Sequence, residues 1–209
     1  MKKEGAIVNL GDLFSKADRN TRLVNLLSLY RIFTAPVLLV MLYTGNDIIF
    51  KWMLLVSFST DMLDGFFARR LKVTTILGAK LDSIGDGLTL LVAILGLIEL
   101  RIDFIVEQVV IISGLISLFL VQLIFSFIRY RKISSFHTYT AKASALFVGV
   151  FMLSLFFFDE PVYLLFYIAA ATTTLELIEE IILVALLPEW VNDVKGLYWV
   201  LKEKRSKKE

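Results

Sequence analysis

Four aspartates in this sequence, Asp61, Asp64, Asp82 and Asp86, stand within or at the ends of strongly apolar stretches. An ionised aspartate near the centre of a membrane-crossing helix costs roughly 2.5–3.5 kcal/mol, so four in one neighbourhood call for a compensating role. Asp61 and Asp64 are three residues apart, and Asp82 and Asp86 four apart, spacings that put each pair on one face of a helix. The segment joining the pairs is short, so the two helices are expected to be antiparallel neighbours whose carboxylates converge on one spot. Converging carboxylates stay ionised only if cations join them; otherwise some take up protons. Clustered oxygen ligands suit hard divalent ions such as Mg²⁺, Mn²⁺ or Ca²⁺. Helical carboxylate pairs can hold two such ions, an arrangement suited to phosphoryl chemistry. The plainer alternative is a set of helix-end charges reaching out to water.

The elements that position these acids are long and apolar. The chain has 209 residues, of which 57% are hydrophobic, and its mean hydropathy is +0.76. Soluble domains sit near 45–50% apolar, and here the apolar residues come in blocks of about 20, the length that crosses a ~30 Å hydrocarbon layer. The pattern predicts an all-α integral membrane protein with six transmembrane helices at 23–43, 47–68, 76–100, 104–128, 139–158 and 162–187. Thr44-Gly45-Asn46 and Asp159-Glu160-Pro161 read as tight turns between them.

Basic residues set the orientation. Lys2, Lys3, Lys16, Arg19 and Arg22 precede the first span, Arg69, Arg70 and Lys72 follow the second, and Arg129, Arg131 and Lys132 follow the fourth. Lys202, Lys204, Arg205, Lys207 and Lys208 close the chain. With six spans, all four clusters fall on one side, which the positive-inside rule makes cytoplasmic, along with both termini and the acidic cluster. Residues 1–22 are expected to form a cytoplasmic amphipathic segment lying on the membrane as a surface helix, with Ile7, Leu10, Phe14 and Ala17 near helical spacing. An ordinary cytosolic arm is the alternative. Residues 23–187 form the membrane domain, and 188–209 a basic cytoplasmic tail whose Tyr198, Trp199 and Leu201 suit an anionic membrane surface. No cleavable signal peptide is expected, and with no cysteine there is neither a disulfide framework nor a thiolate metal site.

Between and around the acids runs a fixed pattern: Asp61-x2-Asp64-Gly65-x2-Ala68-Arg69-x8-Gly78-x3-Asp82-x3-Asp86. Eight fixed positions at roughly 5–8% usage each agree by chance at one start on the order of 10⁻¹⁰. The pattern resembles, at every fixed position, the signature of the CDP-alcohol phosphatidyltransferases, membrane enzymes of phospholipid synthesis. Gly65, Ala68 and Gly78 leave space where helix backbones meet a ligand, and the resemblance implies that the ligand is the cytidine nucleotide of a CDP-linked lipid, usually CDP-diacylglycerol. Arg69 can donate to phosphate, whereas Arg70 and Lys72 are better explained as topology signals. The resemblance further implies that Asp61, Asp64, Asp82 and Asp86 hold Mg²⁺ or Mn²⁺, two ions together. An acceptor hydroxyl then attacks phosphorus, CMP leaves, and Asp86 is the candidate general base, positioning the hydroxyl as much as deprotonating it.

Weaker signals lie outside the pattern. Asn25 and Arg31 belong to an Asn-Leu-Leu-Ser-Leu-Tyr-Arg stretch similar to the family's first helix. Asn25 either reaches the nucleotide or packs helices. Arg129, Lys142 and His137 lie among the basic residues between the fourth and fifth spans. They either mark topology and loop or bind an anionic acceptor. Glu176, Glu179 and Glu180 share a face of the last span and should meet a wet cavity or basic partners rather than lipid. A homodimer is expected, mainly from the resemblance and partly from Gly96, Gly114 and Gly149 within the spans; no nucleic-acid partner is expected. A polyol phosphate such as inositol phosphate or glycerol 3-phosphate is the expected acceptor, with serine as the alternative. Ser83 and Gly87 stand where phosphatidylglycerophosphate synthases usually carry Pro and Lys, and Gly78-Ala79-Lys80-Leu81-Asp82-Ser83 looks more like phosphatidylinositol-phosphate or phosphatidylserine synthases. The protein is expected in the cell inner membrane with its active site facing the cytoplasm; a carboxylate-lined membrane transporter is the reading from a different class, although it requires no such spacing.

Overall fold

The computed structural model describes residues 19–71, 76–132, 136, 138–191 and 194–206, with side chains described at these positions except 19–25, 62, 64–71, 76–77, 79 and 203–206. Among the described residues every regular element is α-helical. The expected surface helix at the N-terminus falls on 1–18, outside the described residues. Contacts divide the chain into two compact units, Met1–Leu100 and Arg101–Glu209.

The first unit contains α1 (Arg19–Tyr43), α2 (Asp47–Leu71) and α3 (Ile76–Leu100), with α1 packed on both of the others. On α1 the buried side chains are Ser28, Arg31, Thr34, Ala35, Leu38 and Leu42, a stripe at spacings of three and four. Phe50, Leu54 and Ser57 form the matching stripe on α2, and Thr89, Val92 and Ala93 on α3. Gly45 adopts φ +71° in the turn after α1. There the Asn46 amide reaches the Met41 carbonyl at 2.9 Å and the Gly45 amide reaches the Leu42 carbonyl at 3.2 Å, the left-handed glycine stop that satisfies a helix C-terminus.

The second unit contains α4 (Ile102–Glu107), α5 (Val109–Tyr130), α6 (Tyr139–Phe157), α7 (Tyr163–Leu186) and α8 (Leu197–Ser206). The expected span at 104–128 is therefore two helices. The break falls at Gln108 (φ −99°, ψ 17°), where Glu107 takes hydrogen bonds from Tyr163 at 2.8 Å and from the Gln108 side chain at 3.2 Å. Glu107 at the break is thus held by its neighbour Gln108 and by Tyr163 at the start of α7. Thr138 caps α6 by accepting from the Ala141 amide at 3.1 Å. Arg101 closes the other end of α6, donating to the carbonyls of Leu155 at 2.6 Å, Asp159 at 2.8 Å and Phe158. Phe104, Phe151 and Phe166 pack with ring centroids 5.1–5.5 Å apart.

Four stretches are long and apolar enough to cross a membrane: Leu26–Tyr43, Lys80–Leu100, Val109–Tyr130 and Tyr139–Phe157. Large apolar side chains along them, such as Phe33 at 72% and Val110 at 78% exposure, have little protein cover; lipid is the solvent that suits them. The chain is an integral membrane protein. Helices α2 and α7 are as long, at 25 and 24 residues. They fall outside this set because of charge: Lys51, Asp61, Asp64 and Arg69 interrupt α2, and Glu176, Glu179 and Glu180 interrupt α7.

Candidate metal centre

Helix α2 brings Asp61 and helix α3 brings Asp82 and Asp86 to one place, where one carboxylate oxygen of each lies within 4.8 Å of the others. Their side chains are 44%, 42% and 48% exposed, so the cluster opens outward. The expected fourth acid, Asp64, lies on α2 with a side chain outside the described residues, as do the side chains of Gly65, Ala68, Arg69 and Asn25. Gly78 is buried on α3, consistent with a position that admits no large side chain.

A cation sits among the three carboxylates. Arg31, from α1, donates through Nη1 to Asp61 and Asp86 and through Nη2 to Asp82 at 2.5 Å, while its own side chain is 0% exposed. Two like charges 4 Å apart repel by roughly 4 kcal/mol at an effective dielectric of about 20, and by less where side chains are this exposed. One guanidinium cannot balance three ionised carboxylates, so a further cation or a proton must share the site. The donor set is hard oxygen, charge-deficient and open, which fits divalent cations. Mg²⁺ or Mn²⁺ held by these carboxylates would supply charge stabilisation to a phosphoryl group.

Gly85 makes the arrangement possible. A Cβ there would lie 3.3 Å from the Arg31 Cβ and 3.3 Å from the Ser28 carbonyl oxygen, tighter than side-chain carbons tolerate without displacement. Glycine between Asp82 and Asp86 thus lets α3 approach α1 closely enough for the acids to meet Arg31. Neither residue was assigned a role from sequence. The signal for Arg31 was available, since a buried arginine in an apolar helix is as costly as a buried aspartate and needs partners. The signal for Gly85 was a glycine inside a helical pattern, which commonly marks a close approach.

The three acids of α7 belong to a different environment. Glu180 is buried and accepts from the Gln122 amide at 2.6 Å. Glu179 accepts from Thr140 and from the Leu197 amide at 2.7 Å. The described hydrogen-bond partners of Glu179 and Glu180 are neutral amides and hydroxyls and not basic side chains. Arg129 donates to the Leu187 carbonyl at 3.2 and 3.4 Å, at the end of α7. Lys142 Nζ lies 5.4 Å from the Tyr139 ring centroid, and neither cation joins an ion pair among the described residues. His137 lies outside them.

Comparison with known proteins settles the class. Residues 21–178 match the CDP-alcohol phosphatidyltransferase family along most of the chain. The chain belongs to the CDP-alcohol phosphatidyltransferase family. It is a transferase of phospholipid synthesis, and this family is generally dependent on divalent metal. The chain is also 28% identical over 189 residues to a CDP-diacylglycerol–glycerol-3-phosphate 3-phosphatidyltransferase from Aquifex aeolicus (strain VF5), an alignment covering 86% of this chain and 98% of the relative. No solved structure matches it significantly.

Proposed function

We propose that this enzyme transfers a phosphatidyl group from CDP-diacylglycerol to a polyol phosphate, foremost glycerol 3-phosphate, and releases CMP. The convergence of Asp61, Asp82 and Asp86 carries the reading, and the near full-length similarity to a glycerol-3-phosphate-using relative supports the acceptor. Asp61, Asp64, Asp82 and Asp86 hold two Mg²⁺ or Mn²⁺ ions, which supply charge stabilisation to the diphosphate when bound. Gly65, Ala68 and Gly78 leave room for the cytidine, with Asn25 beside it, and Arg69 donates to phosphate. Asp86, the most exposed of the three described acids, orients the acceptor hydroxyl and accepts its proton. The hydroxyl oxygen bonds to the lipid-linked phosphorus, the bond from that phosphorus to the CMP oxygen breaks, and CMP leaves with the electron pair.

Arg129, Lys142 and His137 are read as a candidate anion site of the second unit, since guanidinium and ammonium donors suit a phosphate. Ser83 and Gly87 keep inositol phosphate as the second acceptor. Purified enzyme with CDP-diacylglycerol, Mg²⁺ and a panel of glycerol 3-phosphate, inositol phosphate and serine should release CMP fastest with glycerol 3-phosphate. Preference for serine would overturn the polyol phosphate, and CMP release with none of them would overturn the reading.

Six spans place both termini and the acidic site on the cytoplasmic side of the inner membrane. Helices α2 and α7 serve as the two further spans. Cysteines placed at positions 45 and 160 should label only from the opposite side, in a chain with no cysteine of its own. The enzyme acts as a homodimer. A Cβ at Gly114 or Gly149 would meet open space within 4 Å, leaving those surfaces free for close helix contact. A fully active monomer in mild detergent would overturn the dimer.

A further inference from the structure

Arg31 holds a place that the proposed chemistry leaves without a role. Its guanidinium is fully buried, so water cannot solvate the charge, and its partners Asp61, Asp82 and Asp86 come from two other helices. Its stem is fixed as well, since α3 passes the Arg31 Cβ so closely at Gly85 that an added methyl would stand 3.3 Å away. A planar guanidinium can engage several carboxylates at once, which an ammonium does poorly. Divalent ions and this guanidinium therefore draw on the same three carboxylates.

We propose that Arg31 is a resident counter-cation of the triad. It holds Asp61, Asp82 and Asp86 together while no divalent ion is bound and yields carboxylate oxygens when ions enter. Without it the acids repel one another and the three helices lose a common tie. With it the site stays assembled, and ion entry becomes an exchange of cations, so the ion binds more weakly than it would to the bare acids. Such a device suits a site that must keep its shape between turnovers. The inference rests on reading the triad as the metal site.

The test uses the full chain in detergent, first stripped with chelator and then titrated with Mn²⁺, following thermal unfolding. Arg31→Gln should unfold at a lower temperature than wild type in chelator. Its midpoint for Mn²⁺ stabilisation should fall by about tenfold or more, so that saturating Mn²⁺ narrows the gap to wild type. Arg31→Lys should lie between the two and carries the same test if Arg31→Gln does not fold. A merely structural role would lower stability without tightening Mn²⁺ binding. An unchanged or weaker Mn²⁺ midpoint, or chelator-treated stability equal to wild type, overturns the role of Arg31. No Mn²⁺ response in wild type overturns the metal reading itself and this inference with it.

Discussion

Asp61, Asp82 and Asp86 in the first unit and Glu179 and Glu180 in the second all belong to long, otherwise apolar helices, yet their surroundings answer the cost of charge differently. The aspartates share one buried cation and remain more than two-fifths exposed. Glu180 is 8% exposed, and both glutamates are engaged by neutral donors close to hand, Gln122 for one, Thr140 and the Leu197 amide for the other. Exposed oxygens with excess negative charge can take up a ligand. Oxygens already occupied by amides and hydroxyls tie helices together: Glu180 joins α7 to α5, and Glu179 joins α7 to α6 and to the start of α8. The same residue chemistry in the same kind of helix thus leaves oxygens open in one unit and ties helices together in the other.

Breaking the first cluster should cost activity before stability. Asp61→Ala or Asp82→Ala is expected to lower CMP release by about 10³-fold or more, and excess chelator should do the same to wild type. Their melting temperatures without metal should be no lower than wild type, since the remaining carboxylates repel one another less while Arg31 keeps two partners. Full activity in chelator would remove the contrast between the units.

A subtler break uses spacing alone. Gly85→Ala keeps every charge but pushes a methyl against Arg31 and the Ser28 carbonyl. Displacements near 1 Å can cost on the order of 10²-fold in rate, so kcat should fall by about 10- to 100-fold. Wild-type kcat would mean that the helices separate without disturbing the acids.

Breaking the second cluster should reverse the order of effects. Glu180→Ala removes the buried Glu180–Gln122 hydrogen bond between α7 and α5, a loss of about 1–3 kcal/mol. At about 2–4 °C per kcal/mol for a chain of this size, the melting temperature should drop by roughly 2–12 °C while kcat per folded enzyme stays within about threefold. Glu180→Gln, which retains an acceptor oxygen, should recover most of the stability. A large kcat loss in Glu180→Gln would give this cluster a catalytic role and end the comparison.

The smallest expected effect is at Gly196. Its φ of +147° is one that side-chain-bearing residues rarely adopt, and a Cβ would lie 3.0 Å from Glu179 Oε1 and 3.3 Å from the Trp199 ring. Gly196→Ala should loosen the start of α8, seen as a change in Trp199 fluorescence and faster proteolysis of the C-terminal segment, with activity nearly intact. Unchanged fluorescence and proteolysis would show that Glu179 does not anchor α8.

Composition, period and charge by themselves determined that the chain is helical and lives in a membrane. The helix 76–100 matches the expected bounds, 139–158 differs from α6 by one residue at its end, and 162–187 differs from α7 by one residue at each end, because long apolar runs bounded by turns leave few alternatives. Spacing also singled out Asp61, Asp64, Asp82 and Asp86, since unpaired acids are too costly to sit in such helices without purpose; among the described side chains the structure brings Asp61, Asp82 and Asp86 together. Periodicity did not reveal the break at Gln108, because hydropathy registers the apolar run but not the local hydrogen bonds of Glu107. Nor did it distinguish the aspartates from the glutamates: both are acids on one helical face, and only packing decides whether the facing group is a guanidinium, an amide or a hydroxyl. Arg31 lies 30 residues from Asp61 and 55 from Asp86 along the chain, and its meeting with them depends on how α1 crosses α3 at Gly85. Helix faces are local properties of sequence. Which faces meet, and therefore which charges compensate one another, was decided by the tertiary structure.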